Sequence, residues 1–314
     1  MQPLSTMLLS SGDLVADRRF EWARDCEAKG DLTGAADLLE QALELVPGYA
    51  SAWFTLGEIA EKLGDRERAV WAYGRAREAD PDDRHGALMG LMRLGAADVS
   101  DMPQAYVRAL FDHYAPAFDQ ALVEGLSYRA PALLRDAMVA ACRTAGLPKR
   151  FGSMIDLGCG TGLAGAIFRP HVDHLAGVDL SPGMIAQARK KAVYDRLQAD
   201  DLNAFLNAEA GSHSRYDLAV AADVFVYFPD LTPLLASTAR VIEAAGILAF
   251  TVETHDGDGA ILRDTLRFAH SEAHVRAALD EAGLAVLSLQ EVSTRTEKKI
   301  PVPGLLIVAR RGAR

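Results

Sequence analysis

The stretch Met154-Ile155-Asp156-Leu157-Gly158-Cys159-Gly160-Thr161-Gly162-Leu163 decides the fold of this chain. It begins inside a short apolar run, Ser153–Leu157, which is typical of a buried strand. Three glycines on alternate positions follow, and Leu163–Phe168 then has a helical pattern. Residues without a Cβ allow a tight turn and a close approach of the backbone to a ligand. Because helix-start N–H groups point at such a ligand, we expect a nucleotide-type cofactor in this loop.

Strand and helix patterns alternate after this stretch, which predicts an α/β domain whose parallel sheet is covered by helices on both faces. The predicted strands are Met154–Leu157, His174–Asp179, Arg196–Ala199, Tyr216–Asp223 and Gly246–Glu253, and the predicted helices are Leu163–Arg169, Pro182–Lys191, Leu202–Ala208 and Leu231–Ala244. After a helix at Glu272–Ala282, two apolar runs, Leu284–Val292 and Gly304–Arg310, follow each other without a helix between them. We therefore expect an antiparallel hairpin at the end of the sheet.

The composition predicts a soluble globular protein with room for two domains. The chain has 314 residues, 50% of them hydrophobic and 24% charged, and its formal net charge is −10. Its basic pairs, Arg18-Arg19, Lys190-Lys191 and Arg310-Arg311, form no stripe, which disfavours a nucleic-acid substrate. Met1–Gly12 lacks the pattern of a signal peptide, and no apolar run reaches membrane-spanning length. The three cysteines are widely separated, so we expect a cytoplasmic protein without a metal site.

The N-terminal third contains an internal repeat. The second copy places Trp53, Leu56, Gly57, Ala69, Tyr73, Ala76 and Pro81 in a fixed frame, and a shift of 34 residues puts Trp22, Ala35, Leu39, Ala42 and Pro47 at five of these positions. Gly30-Asp31 and Gly64-Asp65 are the predicted hairpin turns, and a third frame, Arg84–Gly95, predicts a lone capping helix. The pattern resembles the tetratricopeptide repeat. That resemblance implies a concave surface for a partner or over a pocket; a packing or dimerisation module is an equal alternative.

These patterns predict four segments along the chain. They are an N-terminal extension, 1–14, the repeats with their capping helix, 15–96, a linker, 97–104, and the α/β domain, 105–314. Amphipathic helices lead from the linker to the glycine loop. Their aromatic residues Tyr114, Phe118 and Tyr128 are either core residues or part of the lining of a pocket.

Two cofactors compete for the glycine loop. Gly160-x-Gly162-x-x-Gly165 satisfies the dinucleotide fingerprint, and Asp179 lies near the distance expected of its ribose-binding acid. Three features favour S-adenosylmethionine instead. Asp156 supplies a carboxylate for a methionine ammonium group, and Asp200-Asp201 after the third strand suits the adenine amino group. The antiparallel hairpin is, in addition, foreign to the dinucleotide fold.

The resemblance to one family is specific at this point. Asp156–Gly162 resembles motif I of the class I S-adenosylmethionine-dependent methyltransferases, Gly177–Met184 resembles their second-strand motif, and Tyr216–Asp223 their fourth-strand motif. With the repeats, the whole chain resembles bacterial methyltransferases that carry tetratricopeptide repeats. This resemblance implies a Rossmann-like methyltransferase domain and S-adenosylmethionine as its cofactor.

The same resemblance implies roles for residues on the donor side of the pocket. Gly158, Cys159 and Gly160 would let the backbone approach the methionine part, and Asp179 would accept both ribose hydroxyls. Either Leu180 or Met184 would pack on the adenine. Asp156 would contact the methionine ammonium, Asp201 with the N–H of Leu202, or else Asp200, would bind the adenine, and Asp223 would lie beside the methyl group. Apart from the resemblance, Tyr114 and Tyr128 are further candidate cofactor contacts, because aromatic residues near a cofactor loop can line its pocket.

Fewer sequence patterns indicate which residues would bind the methyl acceptor. Ala221–Phe225 lacks the Asn/Asp-Pro-Pro-aromatic clamp used for planar amino groups, which further disfavours nucleic acid. Candidate catalytic residues are Tyr227, His255 and His270, and the histidines have capping or surface roles as the alternative. Thr251–Gly259 has the pattern of a glycine-hinged lid.

We predict methyl transfer to a small-molecule acceptor, with the repeats covering the site or mediating association, including a possible homodimer. One alternative is a protein methyltransferase whose repeats dock the substrate protein. Another is a repeat-based binding module that only senses the cofactor. The acceptor atom stays open at this point, because nitrogen, oxygen, sulfur and carbon are all compatible with the sequence.

Overall fold

The structure, a computed structural model, describes residues 10–98, 102–120, 122, 126–212, 214–297 and 299–312. It divides into two compact units. The first runs to Leu110 and includes Asp264–Leu266, and the second consists of Phe111–Arg263 and Arg267–Arg314. The predicted extension and linker fall partly outside the described residues, so the predicted domain limits stay a prediction.

The first unit is a stack of helices that pack in chain order. Its helices are α1 (Leu14–Ala28), α2 (Leu32–Leu45), α3 (Ala50–Leu63), α4 (Arg66–Ala79) and α5 (Ala87–Arg93). The side chains of Asp13, Asp31 and Asp65 accept hydrogen bonds from backbone N–H groups at the starts of α1, α2 and α4. Gly30 and Gly64 occupy the two predicted hairpin turns with positive φ.

Small residues allow these helices to approach one aromatic ring. A Cβ at Gly57 of α3 would lie 2.6 Å from Cε1 of Tyr73, and one at Gly90 of α5 would lie 2.7 Å from Cε2 of the same ring. The Tyr73 ring is fully buried on α4, and its hydroxyl donates to Oε2 of Glu61 at 3.0 Å. The glycine positions therefore let three helices pack around Tyr73.

The second unit is a twisted sheet with helices on both faces. Its main strands are β1 (Phe151–Leu157), β2 (Val172–Asp179), β3 (Arg196–Ala199), β4 (Tyr216–Ala221), β5 (Ile242–Thr254), β8 (Leu284–Val292) and β11 (Gly304–Arg311). They lie in the order β3-β2-β1-β4-β5-β11-β8. Strands β1 to β5 pair in parallel, whereas β11 is antiparallel to both β5 and β8. The predicted sheet and its closing hairpin are therefore confirmed.

The helices that follow α5 are α6 (Gln104–Tyr114), α7 (Phe118–Gln120), α8 (Ala130–Thr144), α9 (Leu163–Phe168), α10 (Pro182–Lys190), α11 (Leu202–Gly211), α12 (Thr232–Val241) and α13 (Glu272–Glu281), of which α6 begins before the division at Leu110. Apolar side chains of α8, α9, α11, α12 and α13 form two clusters with the sheet. One cluster includes Phe205 and Leu235, and the other includes Leu134 and Phe168. Two buried faces explain the near-continuous apolar runs of the strands.

The structure corrects three predicted element limits. The predicted helix Leu231–Ala244 ends at Val241, where the β-branched pair Val241-Ile242 favours the extended backbone of β5. The predicted fourth strand ends at Ala221, because Asp223 has a left-handed backbone with φ 57°.

The predicted lid Thr251–Gly259 is also shorter than expected, because β5 continues to Thr254. Two short strands, β6 (Ala260–Leu262) and β7 (Phe268–His270), then extend the sheet beside β5. Another pair, β9 (Thr296–Glu297) and β10 (Ile300–Pro301), forms a hairpin between β8 and β11. Strands of two or three residues are too short to show a periodic pattern.

Candidate functional site

The glycine loop joins the carboxyl end of β1 to α9. Gly158, Gly160 and Gly162 all have positive φ, at 65°, 53° and 90°. A Cβ at Gly160 would meet only Cε1 of Phe118, at an ordinary 3.9 Å. A Cβ at Gly158 would instead lie 2.4 Å from Cγ2 of Val224. The open backbone of this loop is therefore at Gly160, where a ligand can approach closely.

A tyrosine fills the space beneath the loop. The Tyr194 ring would lie within 3.0 Å of a Cβ at Gly162, Gly165 or Gly177. Its hydroxyl donates to Oδ2 of Asp156 at 2.6 Å. These glycines therefore accommodate a side chain of the protein itself, which the glycine spacing alone does not reveal.

Asp156, the predicted ligand of the methionine ammonium, is engaged in this internal contact. It is fully buried, and its Oδ1 atom has no hydrogen-bond partner among the described residues. Burial raises the pKa of Asp156 to about 7, although the hydrogen bond from Tyr194 acts in the opposite direction. The structure thus places this carboxylate under the loop, so its predicted role as an ammonium ligand stays a prediction.

Asp179 lies at the carboxyl end of β2 and holds the loop. Its Oδ2 accepts the N–H of Gly160 at 2.8 Å, and its Oδ1 accepts the N–H of Ser181 at 2.9 Å. Burial raises the pKa of Asp179 to about 6, against the lowering effect of these two hydrogen bonds. Each carboxylate oxygen keeps a further lone pair, so Asp179 can still accept ligand hydroxyls beside Gly160.

A helical segment is anchored above the loop by two aspartates that the sequence analysis missed. Oδ1 of Asp112 accepts hydrogen bonds from the Ser181 hydroxyl at 2.5 Å and from the Gly183 N–H at 2.9 Å. Asp119 accepts the Thr161 hydroxyl and, at 2.6 Å, the ammonium of Lys191. We call residues 111–120 the cap segment. No sequence pattern signals its contacts, because its partners lie more than forty positions away in the chain.

The adenine side of the predicted pocket consists of residues after β2 and β3. Asp201 is the N-cap of α11 and accepts the N–H of Ala204 at 2.9 Å, the role that competed with adenine binding. Asp200 accepts hydrogen bonds from the Asp201 N–H and the Gln198 amide, and Leu202 is buried. Met184 is fully buried whereas Leu180 is partly exposed, so Leu180 presents more surface to a ligand.

Asp223 follows β4, and three other side chains donate hydrogen bonds to its carboxylate. Its Oδ1 accepts the Thr251 hydroxyl at 2.8 Å, and its Oδ2 accepts the Thr294 hydroxyl at 3.1 Å and Nη1 of Arg295 at 3.0 Å. The left-handed backbone of Asp223 aims its own N–H at Oγ1 of Thr251, at 2.9 Å. Asp223 is therefore an anchor for the surrounding loops.

Charged side chains, of which Glu253, Arg267 and Arg295 are buried, continue from Asp223 across the ends of the strands. We call them the arginine–carboxylate cluster, and its members are Asp223, Arg263, Arg267, Glu253, Arg295 and Glu297. Arg295 is 2% exposed and pairs with all three carboxylates. Burial acts to lower the pKa of its guanidinium, but the three neighbouring carboxylates together raise it above its already high ordinary value, so the group stays charged. Three guanidinium groups and three carboxylates balance in formal charge.

Tyr128 lies within the electrostatic reach of this cluster. It is partly buried, and desolvation together with the charge of Asp223 raises the pKa of its phenol well above the ordinary value. The chain beside it is tied to the segment before β9, since the Arg129 N–H donates to the Thr294 carbonyl at 2.8 Å. Tyr114, the other aromatic assigned to the pocket, is partly buried and lies against the His113 ring at 5.6 Å.

The rings of the two histidines predicted to be catalytic contact other groups of the protein. His255 accepts the Gly257 N–H on Nδ1, and its Nε2 lies 3.1 Å from the Gly259 carbonyl, so both ring nitrogens contact its own loop. His270 is fully buried and stacks on His274 at 5.4 Å. Burial lowers the pKa of His270 to about 4, and neither of its nitrogens has a hydrogen-bond partner among the described residues. His270 is therefore neutral near pH 7.

Tyr227, the third candidate, belongs to a row of aromatic rings. Phe118 lies 6.0 Å from Phe111, Phe111 lies 5.6 Å from Tyr227, and the Arg267 guanidinium lies 5.9 Å from the Tyr227 ring. Phe118 is also the residue nearest to the open side of Gly160. The row therefore connects the glycine loop with the arginine–carboxylate cluster, and its apolar rings suit the lining of a ligand site.

Comparison with known proteins supplies the family. Residues 155–248 match the model of a methyltransferase domain, and residues 28–92 match that of a tetratricopeptide repeat. The chain contains a methyltransferase domain behind tetratricopeptide repeats. The predicted family, its Rossmann-like fold and its S-adenosylmethionine-dependent class are thereby confirmed.

Individual relatives match parts of the chain. Human methyltransferase-like protein 27 is 43% identical over 28% of this chain and 34% of its own length. The malonyl-[acyl-carrier protein] O-methyltransferase of Salmonella typhimurium is 30% identical over 43% of this chain and 52% of its own length. The chain thus spans about a third to a half of these curated relatives. The structure of Burkholderia thailandensis 1,6-didemethyltoxoflavin-N1-methyltransferase shares the fold, with a TM-score of 0.51, 20% identity, and coverage of 69% of this chain and 92% of that one.

The residues at the glycine loop fit S-adenosylmethionine, the cofactor of this family. Gly160 leaves room for a ligand beside the backbone, and Asp179 presents a buried carboxylate there. Within the described residues, no group of histidines, cysteines and carboxylates is arranged to hold a metal ion, and no helix is long and apolar enough to span a membrane.

Proposed function

We propose that this protein transfers the methyl group of S-adenosylmethionine to a small-molecule acceptor. The observation that carries the proposal is the pairing of Asp179 with the open glycine, Gly160, at the carboxyl ends of β1 and β2. Open α/β sheets bind their ligands at this edge. The relative from Salmonella typhimurium is named an O-methyltransferase of malonyl-[acyl-carrier protein], and the Burkholderia thailandensis protein is named an N1-methyltransferase of 1,6-didemethyltoxoflavin. Family membership alone therefore leaves the acceptor atom open.

In this proposal the chain mainly positions the reactants and excludes water. When bound, the cofactor supplies an electrophilic methyl group on a sulfonium. Asp179 accepts ribose hydroxyls, Gly160 gives access to the backbone, and Leu180 packs on the adenine. The cap segment closes over the loop through Asp112 and Asp119. Alignment and desolvation account for much of the rate gain expected for such a displacement.

Binding of S-adenosylhomocysteine tests the donor site directly. Isothermal titration should show binding to the wild-type protein and a loss of at least about 100-fold in affinity for Asp179→Ala, since each hydrogen bond to a charged group contributes about 1.5–3 kcal/mol. Asp173→Ala removes an exposed carboxylate from the same strand and serves as the control. Unchanged affinity in Asp179→Ala would refute the site assignment, and binding of NAD in place of S-adenosylhomocysteine would refute the cofactor.

Exposed apolar residues of the repeats favour protein methylation as a second candidate. Trp22 and Trp71 are each more than half exposed, and Leu14 and Val15 at the start of α1 are exposed as well. Such side chains are enriched in protein interfaces. On this proposal the repeats bind a partner, which is either the substrate protein or a second copy of the chain, in the cytoplasm.

The two candidates differ in the size of the methylated product. A lysate treated with the enzyme and a labelled methyl donor should carry label in molecules that pass a small-pore filter if the acceptor is a small molecule. Label retained on protein, and lost with Trp22→Ala and Trp71→Ala, would favour the second candidate. Gly74→Ala, an unrelated change on the helix that carries Trp71, is the control for the tryptophan variants.

A further inference from the structure

Tyr194 links the two sides of the glycine loop from beneath. Asp156 lies two residues before the first glycine of the loop, and its Oδ2 accepts the Tyr194 hydroxyl at 2.6 Å. The same ring would lie 2.9 Å from a Cβ at Gly162 and 2.3 Å from a Cβ at Gly165. One side chain therefore lies against the chain both before and after Gly160, the residue that leaves room for a ligand.

The backbone that carries Tyr194 is fixed to β2 through the next residue, Asp195. The Asp195 N–H donates to the Leu175 carbonyl at 2.8 Å, and its Oδ2 accepts the Leu175 N–H at 2.7 Å. The same oxygen accepts Nη1 of Arg169 at 2.6 Å. None of these contacts involves the glycine loop, so Tyr194 can act as a fixed support for that loop.

The loop has a physical need for such a support. Gly158, Gly160 and Gly162 all have positive φ, and glycine loses more conformational freedom on ordering than any other residue. A loop that becomes ordered only when the ligand binds weakens binding by this loss of entropy, whereas a loop that is ordered beforehand does not. A side chain that holds the loop from beneath therefore raises affinity without touching the ligand.

The chemistry of the pair points to binding rather than to stability. Asp156 is fully buried, and its Oδ1 has no hydrogen-bond partner among the described residues. A buried carboxylate with an unpaired oxygen costs free energy, and apolar side chains of similar volume would fill the same space without that cost. Groups that a stable core does not need are typical of functional sites, and this pair lies directly beneath the ligand loop.

The charge of Asp156 changes near neutral pH. Burial raises its pKa to about 7, the Tyr194 hydrogen bond acts in the opposite direction, and the charge of Asp179 raises the pKa further. The Tyr194 phenol keeps its proton, because burial and the charge of Asp156 raise its pKa. Burial likewise raises the pKa of the Cys159 thiol and the Tyr128 phenol, the other titratable groups that interact with Asp156. The Tyr194 hydroxyl therefore donates to an ionised carboxylate above pH 7 and to a neutral one below it.

We propose that Tyr194 is a positioning residue for the cofactor, and that it holds the glycine loop in its ligand-binding form through the hydrogen bond to Asp156. This inference rests on the proposed function and adds a residue that acts on affinity from beneath the loop. The support is strongest when the carboxylate is ionised, because a hydrogen bond to a charged acceptor is about twice as strong as one between neutral groups.

Tyr194→Phe tests the proposal, because it keeps the ring under the glycines and removes only the hydroxyl. In titration calorimetry, its affinity for S-adenosylhomocysteine should fall at least about 10-fold at pH 8 but only about threefold at pH 5.5. In an Asp156→Asn background, where the side chain never ionises, the same change should cost about threefold at both pH values. A loss that depends neither on pH nor on residue 156 would report packing alone and overturns the inference.

Tyr216→Phe is the matched control. Tyr216 also donates its hydroxyl to a buried carboxylate, Glu209, but it lies at the start of β4, at the opposite edge of the sheet from the glycine loop. Both variants should unfold at lower urea concentrations, whereas affinity for S-adenosylhomocysteine should stay within about twofold in Tyr216→Phe. An equal loss of affinity in both variants would follow from lost stability and overturns the inference.

The remaining outcomes separate this inference from the proposed function. Wild-type affinity in Tyr194→Phe overturns this inference and leaves the proposed function intact, whereas a wild-type protein that does not bind S-adenosylhomocysteine overturns both. Without ligand, amide hydrogen exchange at Gly160 and Gly162 should be several-fold faster in Tyr194→Phe, and equal exchange overturns the inference. If Tyr194→Phe does not fold, the wild-type protein and Asp156→Asn decide, since a ratio of their affinities that is the same at pH 5.5 and pH 8 contradicts support through Asp156.

Discussion

At the scale of single residues, two buried carboxylates lie at the glycine loop. Asp156 lies beneath the glycine loop with one hydrogen bond from a side chain, and Asp179 lies beside the loop with two from the backbone. Desolvation raises both pKa values, to about 7 and about 6. Since a carboxyl group with a raised pKa favours the folded state when protonated, both residues make folding more favourable at low pH than at high pH.

A first prediction follows for Asp156→Asn. The stability contributed by the wild-type carboxyl is fully present below about pH 4 and is lost as the pH rises through 7. Asparagine keeps a carbonyl that accepts the Tyr194 hydroxyl but never ionises. We expect the variant to exceed the wild-type free energy of unfolding by a few kcal/mol at pH 8 and to differ less at pH 5. Urea unfolding at both pH values measures this, and an equal difference at both pH values would contradict it.

A second prediction separates glycines that make room for Tyr194 from the glycine that leaves room for a ligand. Gly165→Ala would place its Cβ 2.3 Å from the Tyr194 ring, so we expect a loss of about 1–3 kcal/mol in the free energy of unfolding. Gly160→Ala has open space and costs about 1–2 kcal/mol for its left-handed backbone, yet its methyl group blocks the ligand. S-adenosylhomocysteine titration should show a far larger loss of affinity for Gly160→Ala. Equal affinities would mean that the ligand does not contact Gly160.

At the scale of elements, the cap segment links function to packing. Its anchors, Asp112 and Asp119, are exposed or partly exposed, so they contribute little to global stability. They nevertheless connect the segment to the glycine loop and to α10. Elements held by a few exposed polar contacts open more readily than the core.

We expect Asp119→Ala to speed the dissociation of S-adenosylhomocysteine several-fold while the free energy of unfolding changes by less than about 1 kcal/mol. Stopped-flow dissociation and chemical unfolding are the measurements. Asp136→Ala, which removes an exposed carboxylate paired with its neighbour Arg135 on α8, is the control. A dissociation rate that is the same in all three proteins would show that the cap segment does not retain the ligand.

The repeat helices allow a similar matched comparison. Gly57→Ala would bring a Cβ to 2.6 Å from the buried Tyr73 ring, and we expect it to destabilise the first unit by about 1–3 kcal/mol. Gly74→Ala on α4 meets nothing within 4 Å and should stabilise the unit by about 0.5–1 kcal/mol, because alanine has the higher helix propensity. Thermal unfolding followed by circular dichroism compares them. Equal shifts would contradict close packing at Tyr73.

At the scale of the whole molecule, each of the two units has a hydrophobic cluster of its own. One is built around Leu39, Leu56 and Tyr73, and the other unit has clusters on both faces of its sheet. Units with separate cores often unfold in separate steps. A ligand that binds one folded unit raises the stability of that unit, by about 2.7 kcal/mol at a concentration 100 times its dissociation constant.

Calorimetry should therefore show two unfolding transitions, and S-adenosylhomocysteine should raise the midpoint temperature of one of them. Gly57→Ala should lower the midpoint temperature of the other transition and leave that of the ligand-dependent transition unchanged. NAD at the same concentration is the ligand control. A single transition that responds to both the ligand and Gly57→Ala would show that the two units unfold together.

The sequence by itself determined the repeats, the order of strands and helices, and the glycine loop. The repeat frame, the alternating patterns and the Asp156–Gly162 motif are local, because each depends on residues that are close together in the chain. Asp179 was predicted for the same reason, since it ends a strand that follows the loop. The limits of α12 and β5 were wrong, because the β-branched pair Val241-Ile242 extends the strand beyond its periodic part.

Only the tertiary structure decided which side chains share the site. Tyr194 under the glycines, Asp119 on Thr161 and Arg295 on Asp223 join residues that are 38, 42 and 72 positions apart. The same holds for Arg267 and Glu297, which are 30 positions apart in the chain and form an ion pair. Pairing of this kind depends on burial and distance, which arise when the strands meet at one edge of the sheet.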